Sequence, residues 1–325
     1  MKTISSEQKE LIDALVAEGL AGSLSAAVLE KDVHVTDALR ALAALRHPNV
    51  TLVFCGGTSL SKAHGLIERM SEDVDLKVVL DADHGLSKNG LRAHLGKLKD
   101  AVVDAMTAVG FAVVEEERRA LNENRYFASG WIYETRYGAH NSLRPHLSLE
   151  FTVRAPRFAT ERKPIGYLID QLANQEGASF EMVCIAIEET LAEKVLSFLR
   201  RHAEHRAGAR AQWDSALVRH VYDTYCMVRS DVALIERAAL HFADLVDFDR
   251  KEFRLHKAFI EDPKQCLMAA LAAAESEEKT RQEYQDVLMP LIYGPIKPTF
   301  VEAFSVFKPA ALAFLGTLDG QRQTA

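Results

Sequence analysis

Cysteine is scarce and scattered: Cys55, Cys184, Cys226 and Cys266 are the four in 325 residues. No two form a CxxC pair, so neither a metal finger nor a disulfide framework is written into the chain, and a reduced, cytoplasmic protein is expected. Long apolar runs are also missing. Nothing approaches the ~18 to 20 consecutive apolar residues of a transmembrane helix, so no membrane is expected. The opening MKTISSEQKE carries charge where a secretory signal would be apolar. There is no internal repeat and no low-complexity tract. An excess of positive charge is lacking too. The net charge of -7 excludes coating by nucleic acid through bulk electrostatics, but not a local basic groove. With 48% hydrophobic and 26% charged residues the chain is globular, and its length suits two domains of roughly 150 residues each.

Ser5 with Gln8 forms a capping-box pattern, followed by Leu11, Ile12, Leu15 and Val16 at helical spacing and a stop at Gly19. A second amphipathic stretch covers 25–44 and breaks at His47-Pro48-Asn49. A strand over 51–55, a helix over 59–69, a strand over 74–80 and a helix over 91–109 follow. Three strands are then predicted, at 111–116, 125–137 and 146–154. In the last, alternation puts Glu150 opposite Leu147, Leu149 and Phe151. From Ile187 the pattern is almost wholly helical. The composition changes near 180, which divides the chain into 1–180 and 181–325.

The chemistry concentrates between Phe54 and Val78. A strand ends in Gly56-Gly57-Thr58-Ser59, a helix follows, and Asp73-Val74-Asp75 opens the next strand. Glycines let the backbone approach a triphosphate, and successive N–H groups make an anion-binding nest. Two carboxylates on one strand face can hold Mg²⁺ or Mn²⁺, which share their oxygen ligands with substrate phosphates.

These residues resemble the AbiEii/AbiGii toxin family of nucleotidyltransferases, within the polymerase-beta-like superfamily. The likeness begins at Leu29-Glu30-Lys31-Asp32 and continues through Val53–Lys62 and Arg69–Leu76. It resumes at Glu193-Lys194 and at Arg219-His220-Val221-Tyr222-Asp223. Glu189-Thr190 departs from the family's arginine-threonine, and Thr224 stands where leucine is commoner. The resemblance implies an α+β fold, with a polymerase-beta-like nucleotidyltransferase domain of small mixed sheet and a mainly helical C-terminal domain. It implies that Asp73 and Asp75 are metal ligands and that Gly56, Gly57, Thr58 and Ser59 meet the nucleotide. Lys194 would neutralise the triphosphate, and Asp223, at the place of the family's last acidic residue, would be a further catalytic residue that orients the acceptor, assists as a base or fixes Lys194. Glu150 is the candidate third carboxylate of the metal site. The implied activity is transfer from an NTP to an acceptor, with tRNA 3′ ends the expected one, by a toxin paired with an AbiEi-like winged-helix antitoxin.

Arg200, Arg201, Arg206 and Arg210 form a local basic cluster suited to an RNA backbone. The alternatives are transfer to a small-molecule hydroxyl, as in antibiotic modification, and a domain that binds nucleotide or RNA without turnover. His202, His205 and His220 lack a partner cluster for a metal, and Cys55 reads as a packed small hydrophobe.

Overall fold

The computed structural model describes residues 1–138, 143–209 and 213–319. The chain divides into two units, Met1–Gly65 with Arg69–Ile185, and Leu66–Glu68 with Ala186–Ala325.

In the first unit α1 (Ser6–Ala17) starts at Ser5, whose hydroxyl accepts the Gln8 N–H while the Gln8 side chain accepts the Ser5 N–H. α2 (Ala26–Ala44) is capped by Ser25. β1 (Val50–Cys55) then runs into α3 (Gly56–Lys62), and β2 (Asp73–Leu80) returns antiparallel to β1. α4 (Lys88–Ala108) follows, then β3 (Ala112–Leu121), β4 (Tyr126–Ile132), β5 (Leu147–Val153), β6 (Glu161–Ile165), α5 (Leu168–Leu172) and β7 (Phe180–Cys184). Among the described residues these strands make one mixed sheet in the order β3-β4-β5-β2-β1-β7-β6.

Alternation along the central strands decides the rest. Val74, Leu76, Phe127, Leu149 and Phe151 belong to one core, packed with residues of α2 and α4 such as Leu39, Leu42, Leu95 and Leu98. Each large side chain fully removed from water there contributes roughly 1.5–3 kcal/mol. The opposite face of β2 and β5 is left to Asp73, Asp75 and Glu150.

Several boundaries differ from those predicted. α3 begins at Gly56 and ends at Lys62, short of the expected 69, and the chain then passes through Gly65 at φ +61°. β3 continues to Leu121 because a register shift between Val114 and Arg119 lets it resume pairing with β4. β4 stops at Ile132, after which Thr135 Oγ1 and the Arg136 N–H both bond the Glu30 carboxylate. β6 was not foreseen. It reads Glu-Arg-Lys-Pro-Ile, polar and containing Pro164, which an edge strand tolerates.

The second unit is helical: α6 (Ile187–Arg206), α7 (Leu217–Ser230), α8 (Leu234–Ala239), α9 (Phe242–Glu252), α10 (Lys257–Glu261), α11 (Pro263–Ser276), α12 (Glu278–Glu283) and α13 (Phe300–Gly316). The segment Phe300–Asp319 is long and apolar enough to cross a membrane. It reads as a core helix here, since Phe304, Phe307, Phe314 and Leu315 are buried and Lys308 pairs with Glu275 at 2.7 Å.

His34 of α2 lies under the rings of Phe111 and Tyr133, and neither of its nitrogens has a hydrogen-bond partner among the described residues. Burial pushes its pKa down to about 4, with Lys2 and Lys31 helping and Asp37 opposing. The folded state therefore keeps the ring neutral while the unfolded chain protonates it near pH 6.5. The contribution is complete above the unfolded value and is lost as pH falls towards the folded one. Between pH 7 and 5 the wild type should lose about 2 kcal/mol more stability than His34→Leu. Urea unfolding of both proteins at the two pH values measures this, and equal losses would remove His34 from the acid sensitivity.

Candidate active site

β1 and β2 pair so that Cys55 stands opposite Asp75. The chain leaves β1 through Gly56 at φ +76°, a left-handed backbone that side chains disfavour. A Cβ on Gly56 would collide with the Asp75 carboxylate, so the glycine leaves that carboxylate lying against bare backbone. A Cβ on Gly57 would come within 2.8 Å of Arg69 Nη2, a buried guanidinium that also donates to the Met70 carbonyl at 3.1 Å. Thr58 and Ser59 are each 1% exposed. The Thr58 hydroxyl is spent on the Asp73 carbonyl and on Ser71 Oγ at 2.9 Å. The structure thus presents this turn to solvent through Gly56 and its backbone, and uses the Thr58 hydroxyl to clamp α3 to β2, while Ser59 is buried.

Asp73 and Asp75 lie on one face of β2, both partly exposed. Arg144, just before β5, donates through Nη1 to Asp73 Oδ1 at 2.8 Å, and its backbone N–H donates to Glu72 Oε2 at 2.9 Å. Glu72 in turn pairs with the wholly buried Lys31 at 2.9 Å. Lys31 Nζ also donates to the carbonyls of Arg144 at 2.6 Å and His146 at 2.8 Å. Asp32 accepts Lys62 of α3 at 2.6 Å and the Leu168 N–H at 2.9 Å. The Glu30-Lys31-Asp32 run is therefore internal bracing of the site.

Glu150 is the register partner of Asp75 across the parallel β2–β5 ladder. Its Oε2 accepts the Tyr126 hydroxyl at 3.0 Å, and burial together with the Glu150 charge pushes the Tyr126 pKa up to about 12. Among the described residues no three His, Cys, Asp or Glu side chains are gathered as a ready-made metal cage. Glu150 is thus one strand over from Asp75 but not drawn with both aspartates into a three-ligand group. The donor set still fits a hard divalent ion, which takes one or two carboxylates and completes its shell with water and substrate phosphates. The Arg144 guanidinium on Asp73 already marks this face as one that attracts positive charge.

Sequence reasoning did not single out Arg69, Tyr126 or Arg144. Arg144 carries no local motif, since it sits on a loop whose course is set by Lys31.

In the second unit Lys194 of α6 and Asp223 of α7 form an ion pair at 2.6 Å, with side chains 7% and 0% exposed. Arg200 is 6% exposed and commits its guanidinium to Glu204 at 2.8 Å, to Asp249 at 3.2 Å and to the face of Phe253. Arg201 pairs with Asp214, Arg206 is exposed, and Arg210 lies outside the described residues. The expected basic cluster is therefore largely neutralised: a phosphate would have to displace carboxylates from Arg200 and Arg201. His202 is likewise tied to Glu277 at 2.9 Å.

A carboxylate pair beside a glycine turn, on a mixed sheet with a helical unit following, is the arrangement of a nucleotidyltransferase. The family description "Nucleotidyl transferase AbiEii toxin, Type IV TA system" matches residues 37–306, and the chain belongs to this family. It is a nucleotidyltransferase toxin, and membership implies an NTP substrate and an antitoxin partner. The match leaves Glu30-Lys31-Asp32 outside its bounds. The chain is similar in fold to MenT4, a nucleotidyltransferase toxin from Mycobacterium tuberculosis H37Rv, with 19% identity and a TM-score of 0.56 over 97% of this chain and 91% of that one. A crystal structure described as a candidate nucleotidyltransferase from H. pylori matches at 17% identity and a TM-score of 0.42, covering 92% of this chain and 99% of that one. Comparison with curated proteins finds no match.

Two substitutions test this geometry. Gly56→Ala should cut nucleotidyl transfer sharply, because it costs about 1–2 kcal/mol in backbone strain and displaces Asp75. Gly22→Ala shares the positive φ but has no atom within 4 Å, so it should keep its activity. Equal activity in the two variants would detach Asp75 from catalysis. Lys194→Ala should destabilise the second unit by about 3–5 kcal/mol, because it removes one member of a buried ion pair with Asp223. Lys194→Met combined with Asp223→Leu should recover much of that loss. Urea unfolding of the single and double variants reads both outcomes.

Proposed function

We propose that the protein transfers a nucleotide from an NTP to the 3′ end of an RNA, with tRNA the expected acceptor, using Mg²⁺ or Mn²⁺ held by Asp73 and Asp75. The observation that carries this reading is the pair of carboxylates side by side on β2, with Gly56 making room for Asp75 and Arg144 beside Asp73. When bound, the metal polarises the acceptor oxygen and offsets charge on the phosphates. The turn at Gly56 lets the backbone close on the triphosphate, and Gly57 is assigned to it on the family resemblance. Arg144 is within reach to exchange Asp73 for phosphate oxygens as the nucleotide arrives. The acceptor hydroxyl oxygen forms a bond to the α-phosphorus, the bond from that phosphorus to the bridging oxygen breaks, and pyrophosphate leaves. Glu150, in register with Asp75, takes the hydroxyl proton. On the family resemblance Lys194 is assigned to charge neutralisation, and Asp223 to orienting the acceptor, assisting as a base or fixing Lys194. Positioning and electrostatics supply most of the rate in such a displacement. The partner would be an AbiEi-like winged-helix antitoxin, and the site of action the cytoplasm.

Asp73→Asn and Asp75→Asn should each reduce transfer by at least about 10³-fold, the scale of losing a preorganised charge at the reacting centre, while leaving thermal unfolding near wild type. The assay incubates total tRNA with each labelled NTP and Mg²⁺ or Mn²⁺. Normal turnover by either variant would sink the metal assignment. Transfer to a small hydroxyl compound but never to RNA would favour the antibiotic-type reading.

A further inference from the structure

The carboxylate face of the sheet has two sides. The strand order β5-β2-β1 puts the Gly56 turn on one side of Asp75 and Glu150 on the other. In a displacement at phosphorus the attacking and leaving oxygens are roughly in line, on opposite sides of the phosphorus. With the triphosphate at the Gly56 turn, the acceptor hydroxyl comes from the β5 side, where Glu150 is.

The β4–β5 register explains how Glu150 is held. Leu149 and Phe151 enter the core with Phe127, so Glu150 shares the opposite face with Tyr126, Ala128 and Gly130 of β4. Ala128 stands directly across from Glu150, and Tyr126 and Gly130 are its diagonal neighbours. Ala128 and Gly130 carry no polar side chain, which leaves Tyr126 as the donor that β4 can offer. Diagonal neighbours lie roughly 7–8 Å apart, within reach of an aromatic side chain. The Tyr126 hydroxyl closes that gap and donates to Glu150 Oε2 at 3.0 Å. No described residue bonds Oε1. On the core side Phe127 stacks on its register partner Phe151 with ring centroids 4.5 Å apart, which fixes the two strands beneath this contact. Burial and the Glu150 charge push the Tyr126 pKa up to about 12, so the phenol remains a donor through the neutral range.

We propose that Tyr126 is the positioning residue for Glu150: it holds the carboxylate through Oε2 so that Oε1 is left to take the acceptor's hydroxyl proton. That proton moves to Oε1 as the acceptor oxygen bonds to the α-phosphorus and pyrophosphate leaves, and Tyr126 keeps its own proton throughout. This role rests on the reading of Glu150 as the base and holds for any acceptor hydroxyl. A carboxylate with no such anchor would sample several rotamers, and only some of them would meet the acceptor.

Tyr126→Phe keeps the ring and removes the donor. Single-turnover transfer from a labelled NTP, with Mn²⁺ and saturating tRNA, should slow by about tenfold or more, the scale of losing a hydrogen bond to a charged group. The affinities for NTP and for Mn²⁺, the latter read by electron paramagnetic resonance, should stay at wild-type values. Glu150→Gln should slow transfer by roughly 10²–10⁴-fold, the worth of a general base. Adding Tyr126→Phe to Glu150→Gln should cost nothing further, because the two residues act as one unit. Urea unfolding checks the fold of each variant. A normal rate in Tyr126→Phe would overturn the proposal, as would a further loss in the double variant, which would make the tyrosine's effect independent of Glu150. Weaker Mn²⁺ binding by Tyr126→Phe would make Glu150 a metal ligand and overturn it too. A wild type that transfers only to a small hydroxyl compound would defeat the RNA reading alone, and the same comparison in that acceptor then decides the role of Tyr126. A wild type that binds NTP and Mn²⁺ but transfers to no acceptor would defeat both.

Discussion

Lys31 is the buried charge on which the site's geometry depends. Its ammonium group is removed from water and held by Glu72 and by the carbonyls of Arg144 and His146. Burial lowers its pKa and the Glu72 carboxylate raises it, so the pair survives only because each partner is satisfied. One end of this contact is the residue before Asp73, and the other is the loop that delivers Arg144 and leads into β5. Breaking it would loosen two sides of the carboxylate face together. Residues 30, 31 and 32 point roughly 100° apart around α2, so each can brace a different segment: Glu30 the turn after β4, Lys31 the loop before β5, Asp32 the α3 end and α5. A helix distant in sequence from Asp73 and Asp75 thereby becomes the frame of the candidate site.

Much of this was legible beforehand where a local rule sufficed. The Ser5–Gln8 capping box, the alternation that puts Asp73 and Asp75 on one face, and the opposition of Glu150 to Leu149 and Phe151 depend on neighbours a few residues apart, and the structure has all three. What escaped was non-local or defied composition. β6 is polar with a proline, and only its pairing with β7 makes it a strand. Arg144 is one arginine among many until Lys31 fixes its backbone. The family resemblance assigns Thr58 and Ser59 to the nucleotide, and the structure buries both side chains behind the turn at Gly56, with the Thr58 hydroxyl on the Asp73 carbonyl.

The helical unit shows the same limit in charge. Spacing alone made Arg200 and Arg201 a basic cluster, but α6 sets them beside Glu204, Asp249 and Asp214, and their charge is consumed locally. Net charge along a segment says what must be balanced, not where the balance is struck. At β3 the balance is likewise struck locally, with Glu115 paired to Arg118 and Glu117 to His146.

The parallel pairing of β2 with β5 brings Asp75 beside Glu150, positions 75 apart in the chain (150 − 75), with α4, β3 and β4 between them. Such pairing closes late, since the intervening loop entropy must be met before the ladder forms. A growing chain at the ribosome therefore carries the glycine turn and both aspartates well before it has the strand that places Glu150 and the loop that places Arg144. For a member of a toxin family that order has a use: the nascent fragment holds Gly56, Asp73 and Asp75 without the geometry of the candidate site.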